Sequence, residues 1–536
     1  MFSLRKIKKV PILSLLPHIK KYNKLYGGVI MTKNSVRTKM SVRNAGATMT
    51  NRIVTMALNF FARTVFIRTL GTDYLGLGGL FGNIFSMISL CELGFGAAFT
   101  QSLYKPIAEN NEKQVCAVMN YFTHIYNMIA AVSAVLAVAV MPFLDKIVKN
   151  TTEIPGIYSI YVLFTLHNTV SFLLAPKRTL IICDQKMYVV SNIRTVFSVL
   201  IFVCQVAVLE MTGNYILYLS SRIVLLTLEA VTVNIYADKR YKFLSGKNTV
   251  DKAYKDSLFA KVRALMLHKT GSVLTHSTDS ILISYFLGLS CMGKYSNYAL
   301  IVGSIVTLID IAIGAVSSSV GNLGATADRA TNERVMRRIG FVNFWLLTVC
   351  SCVLLTCLNP VIELWIGKDM LFSMPEVAVI VASFYFSCIR DPVQSFINAY
   401  GIFEPSKYMN LARASVNLIL SVVFVKNFGI AGVFMGTVLS VIAVPLWCEP
   451  HVLYKYGFKM SAHDFSLEFL GYLACTAGIC FVCVALTNNF PVTLAWTICR
   501  GAVSLLVSGV LAAVIYCKNS LFKEVCEMLL RALKFS

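Results

Sequence analysis

RTVFIRTLGTDYLGLGGLFGNIFSMISLCELGFGAAFTQSLYK, residues 63–105, is almost wholly apolar yet carries Arg63, Arg68 and Glu92. A charge at the centre of a lipid-embedded helix costs about 2.5–3.5 kcal/mol on insertion scales, so charges kept there face a protein interior or a watery cavity. The stretch has a weaker copy in the second half of the chain. Together these features predict a two-lobed membrane protein with a polar centre.

The whole composition points the same way. Of 536 residues, 57% are hydrophobic and 14% charged, against about 25% charged in a soluble globular chain. Apolar runs near 20 residues recur from Gly46 to Cys517, each long enough to cross a hydrocarbon layer about 30 Å thick. Lipid offers no hydrogen-bond partners, so the spanning backbone must be helical. The short alternating segments of a transmembrane barrel are absent. The expected fold is therefore an all-α integral membrane protein.

Fourteen spans are predicted, over 46–70, 75–103, 116–144, 155–176, 187–211, 214–237, 264–288, 294–319, 338–364, 375–401, 407–427, 430–454, 466–487 and 492–517. The net charge of +23 is concentrated at their flanks: twelve Lys or Arg and no carboxylate between Met1 and Arg52, and eight more between Asp238 and Arg263. Such placement follows the positive-inside rule and predicts both termini on the cytoplasmic side. It favours anionic lipid headgroups as partners and argues against nucleic acid. No cleavable signal peptide is visible, and either Met1 or Met31 serves as a start in this reading.

The division that follows is a basic segment over 1–45, an N-lobe over 46–238, a linker over 239–263, a C-lobe over 264–457, two extra helices over 466–517 and an amphipathic tail over 518–536. Leu521, Val525, Met528 and Leu529 share one face of that tail. The face suits either the membrane surface or a dock on the protein. The sixteen cysteines are scattered through apolar runs and read as small buried side chains, not as a disulfide framework or metal site.

The two halves repeat one another. Arg52, Thr55, Asn59 and Arg63 lie on one helical face, as do Lys269, Ser272, His276 and Asp279; the first three of each set stand 217 residues apart, and the fourth falls one residue earlier in the second half. Ser89, Glu92 and Gly96 match Thr307, Asp310 and Gly314 at an offset of 218. Six spans per half make the repeats parallel, with the midplane between them as the default substrate site. Arg63 shares its face with Asn59 and Thr55, so that face reads as wet, whereas Arg68 snorkels to an interface. Arg222 and Glu229 suit a local pair. Arg390-Asp391-Pro392 interrupts the tenth span, because proline removes a backbone donor. Glu92, Asp279 and Asp310 either carry coupling protons or sodium or neutralise the buried arginines, and the cost of an unpaired buried charge favours pairing. The glycines of Gly78-xxx-Gly82 and Gly432-xxx-Gly436 read as close helix packing. No Walker motif and no nucleophile–base set occurs, so an enzyme is not expected.

RTVFIRTLGTDYLGLGGLFGNIFSMISLCELGFGAAFTQSLYKPIAENNEKQV and, later, NLILSVVFVKNFGIAGVFMGTVLS (417–440) resemble Wzx-type polysaccharide flippases of the multidrug/oligosaccharidyl-lipid/polysaccharide exporter superfamily. The resemblance covers most of 46–517. It implies two pseudo-symmetric six-helix lobes around a central cavity, with two extra C-terminal helices here. It also implies a substrate, undecaprenyl-pyrophosphate-linked oligosaccharide turned from the inner to the outer leaflet of a bacterial cytoplasmic membrane for O-antigen, capsule or exopolysaccharide. Polysaccharide polymerase and ligase machinery are the partners so implied. The chain departs from the pattern at Arg413, where the family often has an acidic residue.

Arginine's planar donor fork matches phosphate oxygens. Arg63, Lys269, Arg52, Asn59 and Arg390 are accordingly the expected pyrophosphate-binding residues of the cavity. No cofactor is expected beyond a coupling proton or sodium ion. Two rivals stand within the superfamily, a lipid II flippase and a cation-coupled multidrug exporter. A membrane glycosyltransferase or ligase is disfavoured, since no outer loop is long enough to carry a catalytic site.

Overall fold

A computed structural model describes residues 31–535 apart from 93, 149–154, 247, 327, 403 and 407. Within some helices only the backbone is described, so the side chains of Lys269, Ser272 and His276 lie outside the described set, as do those of Met528 and Leu529. So does most of the basic segment 1–45.

The chain is all α-helical. Its principal helices are α1 (Met31–Ile88), α2 (Phe95–Ala108), α3 (Glu112–Val140), α4 (Ile157–Cys183), α5 (Met187–Thr212), α6 (Tyr215–Arg240), α7 (Lys252–Leu282), α8 (Leu289–Thr326), α9 (Arg329–Ile366), α10 (Met374–Cys388), α11 (Asp391–Tyr400), α12 (Met409–Ala443), α13 (Pro445–Val452), α14 (His463–Thr487), α15 (Leu494–Tyr516) and α16 (Ser520–Phe535). Among the described residues nine helical stretches are long and apolar enough to cross a membrane, and the protein is a multi-pass membrane protein. That number is smaller than fourteen partly because kinks join neighbouring spans. The first two expected spans run together through Gly71, and the eleventh and twelfth through Gly429.

Local sequence sets the helix ends. Asn111 accepts from the Gln114 amide at 3.1 Å to start α3, and Asn214 accepts from Ile216 and Leu217 at 2.9 and 3.2 Å to start α6. Ser373 and Glu376 form a capping box at α10, with Pro375 in its first turn. Each device occupies backbone donors that a helix start leaves without partners.

The tenth span divides into α10 and α11 at Ile389-Arg390, at the expected interruption. Two expected elements differ. The second span is not one helix: after Ile88 the chain tightens into a 3-10 turn over Ser89–Glu92, and Gly94 (φ 93°) redirects it into α2. The 239–263 linker is mostly ordered helix, because α7 starts at Lys252 and buries Leu258 and Val262, four apart, in a cluster with Phe99, Phe122 and Val233. The charged residues around those positions, Lys255, Asp256, Lys261 and Arg263, disguised the apolar face.

Buried apolar residues form two large clusters drawn from residues 66–289 and one drawn from 282–525. Large apolar side chains such as Phe481, Ile498 and Leu506 stand outward, as lipid-facing surfaces require. The described cysteines are free thiols.

The 217-residue offset reappears in the backbone. Gly71 (φ 80°, ψ −172°) ends the first straight segment of α1, and Gly288 (φ 89°, ψ 169°) separates α7 from α8. Both angles belong to a region that residues with a Cβ rarely enter. Just beyond each break the two chains touch reciprocally: a Cβ on Gly76 would strike the Leu289 carbonyl, and one on Gly293 would strike the Thr72 carbonyl. These pairs are themselves 217 apart (293 − 76 and 289 − 72). The Thr72 and Ser290 hydroxyls lie 3.4 Å apart beside the contact. Gly76→Ala with Gly293→Ala should force the helices apart at a cost of about 1–3 kcal/mol, the usual penalty of overpacking. A cysteine introduced at Thr72 should then become more reactive to a water-soluble maleimide, and unchanged labelling would count against the contact.

Of the glycine pairs read as close packing, Gly432 and Gly436 abut the Phe424 and Ser421 backbones. Gly82 instead has open space beside it, and Gly76, Gly78 and Gly79 make the close approaches in that segment.

The tail is docked on protein. In α16, Leu521 and Val525 are buried, Phe522 packs 5.6 Å from the Trp345 ring, and Glu524 bridges Arg334 and Arg338 of α9. Hydrogen bonding from Arg334 holds the Glu524 carboxyl below its ordinary value. A depressed acid contributes stability above its unfolded pKa, about 4.3 for glutamate, and loses it as pH falls through the folded value. Protection of the α16 amides, taken relative to the intrinsic exchange rate at each pH, should therefore fall on acidification through the folded value. Glu524→Gln should remove that dependence. Protection factors equal at acid and neutral pH would show that Glu524 does not hold the tail.

Candidate functional site

α1, α4, α5, α6 and the start of α8 enclose a cavity of about 680 Å3. Three arginines line it, Arg63 from α1, Arg194 from α5 and Arg222 from α6, together with His167 and Asn168 from α4. Thr55 and Asn59 continue the α1 wall, with Thr55 3.3 Å from the Ser198 hydroxyl of α5. Tyr74, Tyr215 and Tyr218 also line it. The lining carboxylate is Glu229, and it accepts from Arg178 at 2.9 Å. The wall is therefore net positive.

Arg63 is the best held of the three arginines. Its Nε donates to the Asn297 side-chain oxygen at 2.6 Å, and its Nη2 donates to the Ser296 hydroxyl. That hydroxyl in turn donates a hydrogen bond to the Gly293 carbonyl at 2.7 Å. Asn297 is fully buried, and its Nδ2 has no hydrogen-bond partner among the described residues. Arg63 thus joins α1 to α8 through neutral groups and keeps its full charge for the cavity. Nearby, the Trp365 ring nitrogen donates to Thr64 at 2.6 Å, and Phe60 packs 4.2 Å from the Trp365 ring.

The other expected site residues divide. Asn59 lines the cavity beside Arg63, while Arg52 is exposed two turns earlier on α1 and outside the lining. Lys269 cannot be placed, since its side chain lies outside the described residues. Arg390 is not on this wall. It is buried between α10 and α11 and grips Glu449 of α13 with two hydrogen bonds, Nε to Oε2 at 3.0 Å and Nη2 to Oε1, and Gln394 adds a third at 3.1 Å.

Of Glu92, Asp279 and Asp310, expected to neutralise buried arginines, Asp279 interacts electrostatically with buried Arg413, whereas Arg63 takes neutral partners. Glu92 sits in the 3-10 turn and accepts from Tyr126 at 2.9 Å. Asp279 is buried and accepts from Thr437 at 2.8 Å and Asn417 at 3.3 Å. Arg413, one turn before Asn417, is buried with Nε and Nη2 lacking hydrogen-bond partners among the described residues. Asp310 is exposed on α8. The local pair expected of Arg222 and Glu229 is also replaced: Glu229 binds Arg178 across helices, and Arg222 faces the cavity.

Sequence reasoning passed over Arg194 and Arg222 as wall residues. A signal was present, for Arg194, Ser198 and Gln205 fall on one face of α5 and all three line the cavity. No group of His, Cys, Asp and Glu suited to a metal occurs among the described residues.

No family model matches the chain. A curated relative, an uncharacterized membrane protein of Methanocaldococcus jannaschii, is 20% identical over 200 residues. That match spans 37% of this chain and 39% of the relative. Solved structures agree over far more. Lipid II flippase MurJ in an inward closed conformation superposes with a TM-score of 0.62 at 14% identity, covering 89% of this chain and 99% of that one. An inward-facing multidrug resistance MATE transporter of the MOP superfamily gives 0.54 at 13% identity, over 75% and 98%. A MOP superfamily transporter from Pyrococcus furiosus, described as having a binding pocket of reverse polarity, gives 0.54 at 14%, over 79% and 97%. The fold is that of the MurJ and MATE transporter structures. It does not single out the polysaccharide branch that the sequence resembles.

Proposed function

We propose that this chain carries a lipid with an anionic pyrophosphate head across a membrane by alternating access. The observation that supports it is the cavity wall: Arg63, Arg194 and Arg222 face an accessible space whose lining carboxylate is already held by Arg178. A pyrophosphate cannot cross hydrocarbon unaided, and fixed guanidinium groups replace its water with charge-assisted hydrogen bonds. An exporter of organic cations needs the opposite polarity.

The MurJ likeness reaches further along this chain than the MATE likeness, which favours a prenyl-pyrophosphate glycolipid of the lipid II type. The undecaprenyl-linked oligosaccharide of O-antigen, capsule or exopolysaccharide synthesis shares that head and is the second substrate. In this reading fourteen helices cross a bacterial cytoplasmic membrane with both termini inside. Residues 46–238 and 264–457 are the two lobes that rock, and helices 466–517 lie beside them. Arg63 and Asn59 contact the head, with Lys269 completing the site from the other lobe. Asp279, Glu92 and Asp310 take part in proton or sodium coupling. Polymerase or ligase machinery receives the product where the cargo is a polysaccharide unit.

The test is transfer in sealed vesicles containing the full chain and a fluorescent prenyl-pyrophosphate saccharide, read by an impermeant quencher. Faster exchange of the labelled lipid than in protein-free vesicles is expected. No exchange, with export of a lipophilic cation instead, would overturn the reading. Comparing a peptide-bearing disaccharide with a peptide-free oligosaccharide separates the two substrates.

A further inference from the structure

A second cavity, of about 670 Å3, lies where α13 gives way to α14. Trp447, His451 and Lys455 follow at four-residue spacing and share one helical face, and all three line it. A π-helical turn over Leu453–Phe458 then carries the chain to Lys459, which lines it too. The Met460 amide closes the helix end on the Tyr454 carbonyl at 3.1 Å. His463 and Ser466, from the first turn of α14, form the opposite wall.

No carboxylate lines this cavity. Asp464, next in sequence, is turned out to solvent with its oxygen 3.4 Å from His463. Glu468, one turn on, is engaged by Arg337 at 3.5 Å and Tyr472 at 2.5 Å. The cationic wall therefore lacks an internal counter-ion. Lys459 also occupies a left-handed backbone position (φ 60°), where glycine is the usual helix-ending residue and a side chain is strained. Lysine there adds charge at a conformational cost.

Apolar surface continues from the mouth of the cavity. Trp447 is 39% exposed, and Leu467 and Leu470 beside Ser466 are 57% and 46% exposed. A tryptophan beside lysines, next to outward-facing leucines, is the composition of a membrane–water interface. We infer that this cavity binds the phosphate head of an anionic glycerophospholipid from the adjoining leaflet, with Lys455 and Lys459 on the phosphate and the acyl chains along Trp447, Leu467 and Leu470. The inference is independent of what the arginine-lined cavity transports.

Binding is read by native mass spectrometry of the full chain released from micelles containing phosphatidylglycerol or phosphatidylcholine. The wild type should retain phosphatidylglycerol preferentially. Lys455→Ala with Lys459→Gly should weaken that retention about tenfold to thirtyfold. Lys518→Ala with Lys523→Ala, the same charge change elsewhere, should leave it within twofold or so of wild type. Lys459→Gly alone should lower retention while leaving the thermal midpoint equal or higher, because it relieves backbone strain, so lost binding cannot be ascribed to misfolding. Equal losses from both double variants would overturn the inference. So would displacement of the lipid by millimolar inorganic phosphate, which would identify a soluble anion as the ligand.

Discussion

Arg63→Ala should lower lipid transfer by about two orders of magnitude while the protein still inserts and folds. Truncating one member of a buried, hydrogen-bonded charge contact costs about 2–5 kcal/mol, and each 1.4 kcal/mol is a factor of ten. Arg63 contributes twice. It supplies the best-held positive charge on the cavity wall, and it ties α1 to Ser296 and Asn297 of α8. Arg63→Lys separates these contributions. A lysine keeps the charge but cannot reproduce the planar fork that reaches two acceptors at once, so transfer should recover only in part. Asn297→Ala removes one of the two bonds of the tie and leaves the charge, and should retain substrate binding with altered transfer rate. Wild-type transfer by Arg63→Ala would remove this residue from the mechanism.

Glu449→Ala should be the most destabilising single substitution outside the cavity. Glu449 and Arg390 are each 4% exposed, and Glu449 receives three hydrogen bonds from Arg390 and Gln394. Removing the carboxylate leaves a guanidinium buried without its counter-ion, at a cost of about 3–5 kcal/mol. The double variant Arg390→Met with Glu449→Leu removes both charges and should be close to wild type in thermal midpoint, because well-packed apolar pairs commonly match a buried ion pair. A double variant as unstable as Glu449→Ala would mean that the pair itself, and not the stranded charge, matters.

The all-helical membrane character was legible because apolar length is a one-dimensional signal that lipid imposes on sequence. The helix breaks were harder. Gly71 and Gly288 stand in positions where any turn would serve, and only their backbone angles and the reciprocal contacts beyond them show that they match. The break at Glu92 was hidden because Ser89–Gly94 keeps the hydropathy of a continuous span. For the site, the α1 stripe through Thr55, Asn59 and Arg63 was readable from spacing alone. Arg390 was misread because its partner, Glu449, lies 59 residues away in a short helix that spacing cannot relate to it. Arg178 claimed Glu229 for the same reason, across 51 residues.

The joint formed by Gly76 with Leu289 and Gly293 with Thr72 has a consequence for how such a chain could have arisen. Each side offers the other the same groups that it receives. A surface with that property is self-complementary, as in a two-fold symmetric dimer. Two identical half-length chains bearing one such glycine and one such carbonyl would meet through it without any further adaptation. Joining them end to end would then have preserved the contact and freed the two copies to diverge. Arg63 and Ser280, which stand at that same offset of 217, are what such divergence leaves.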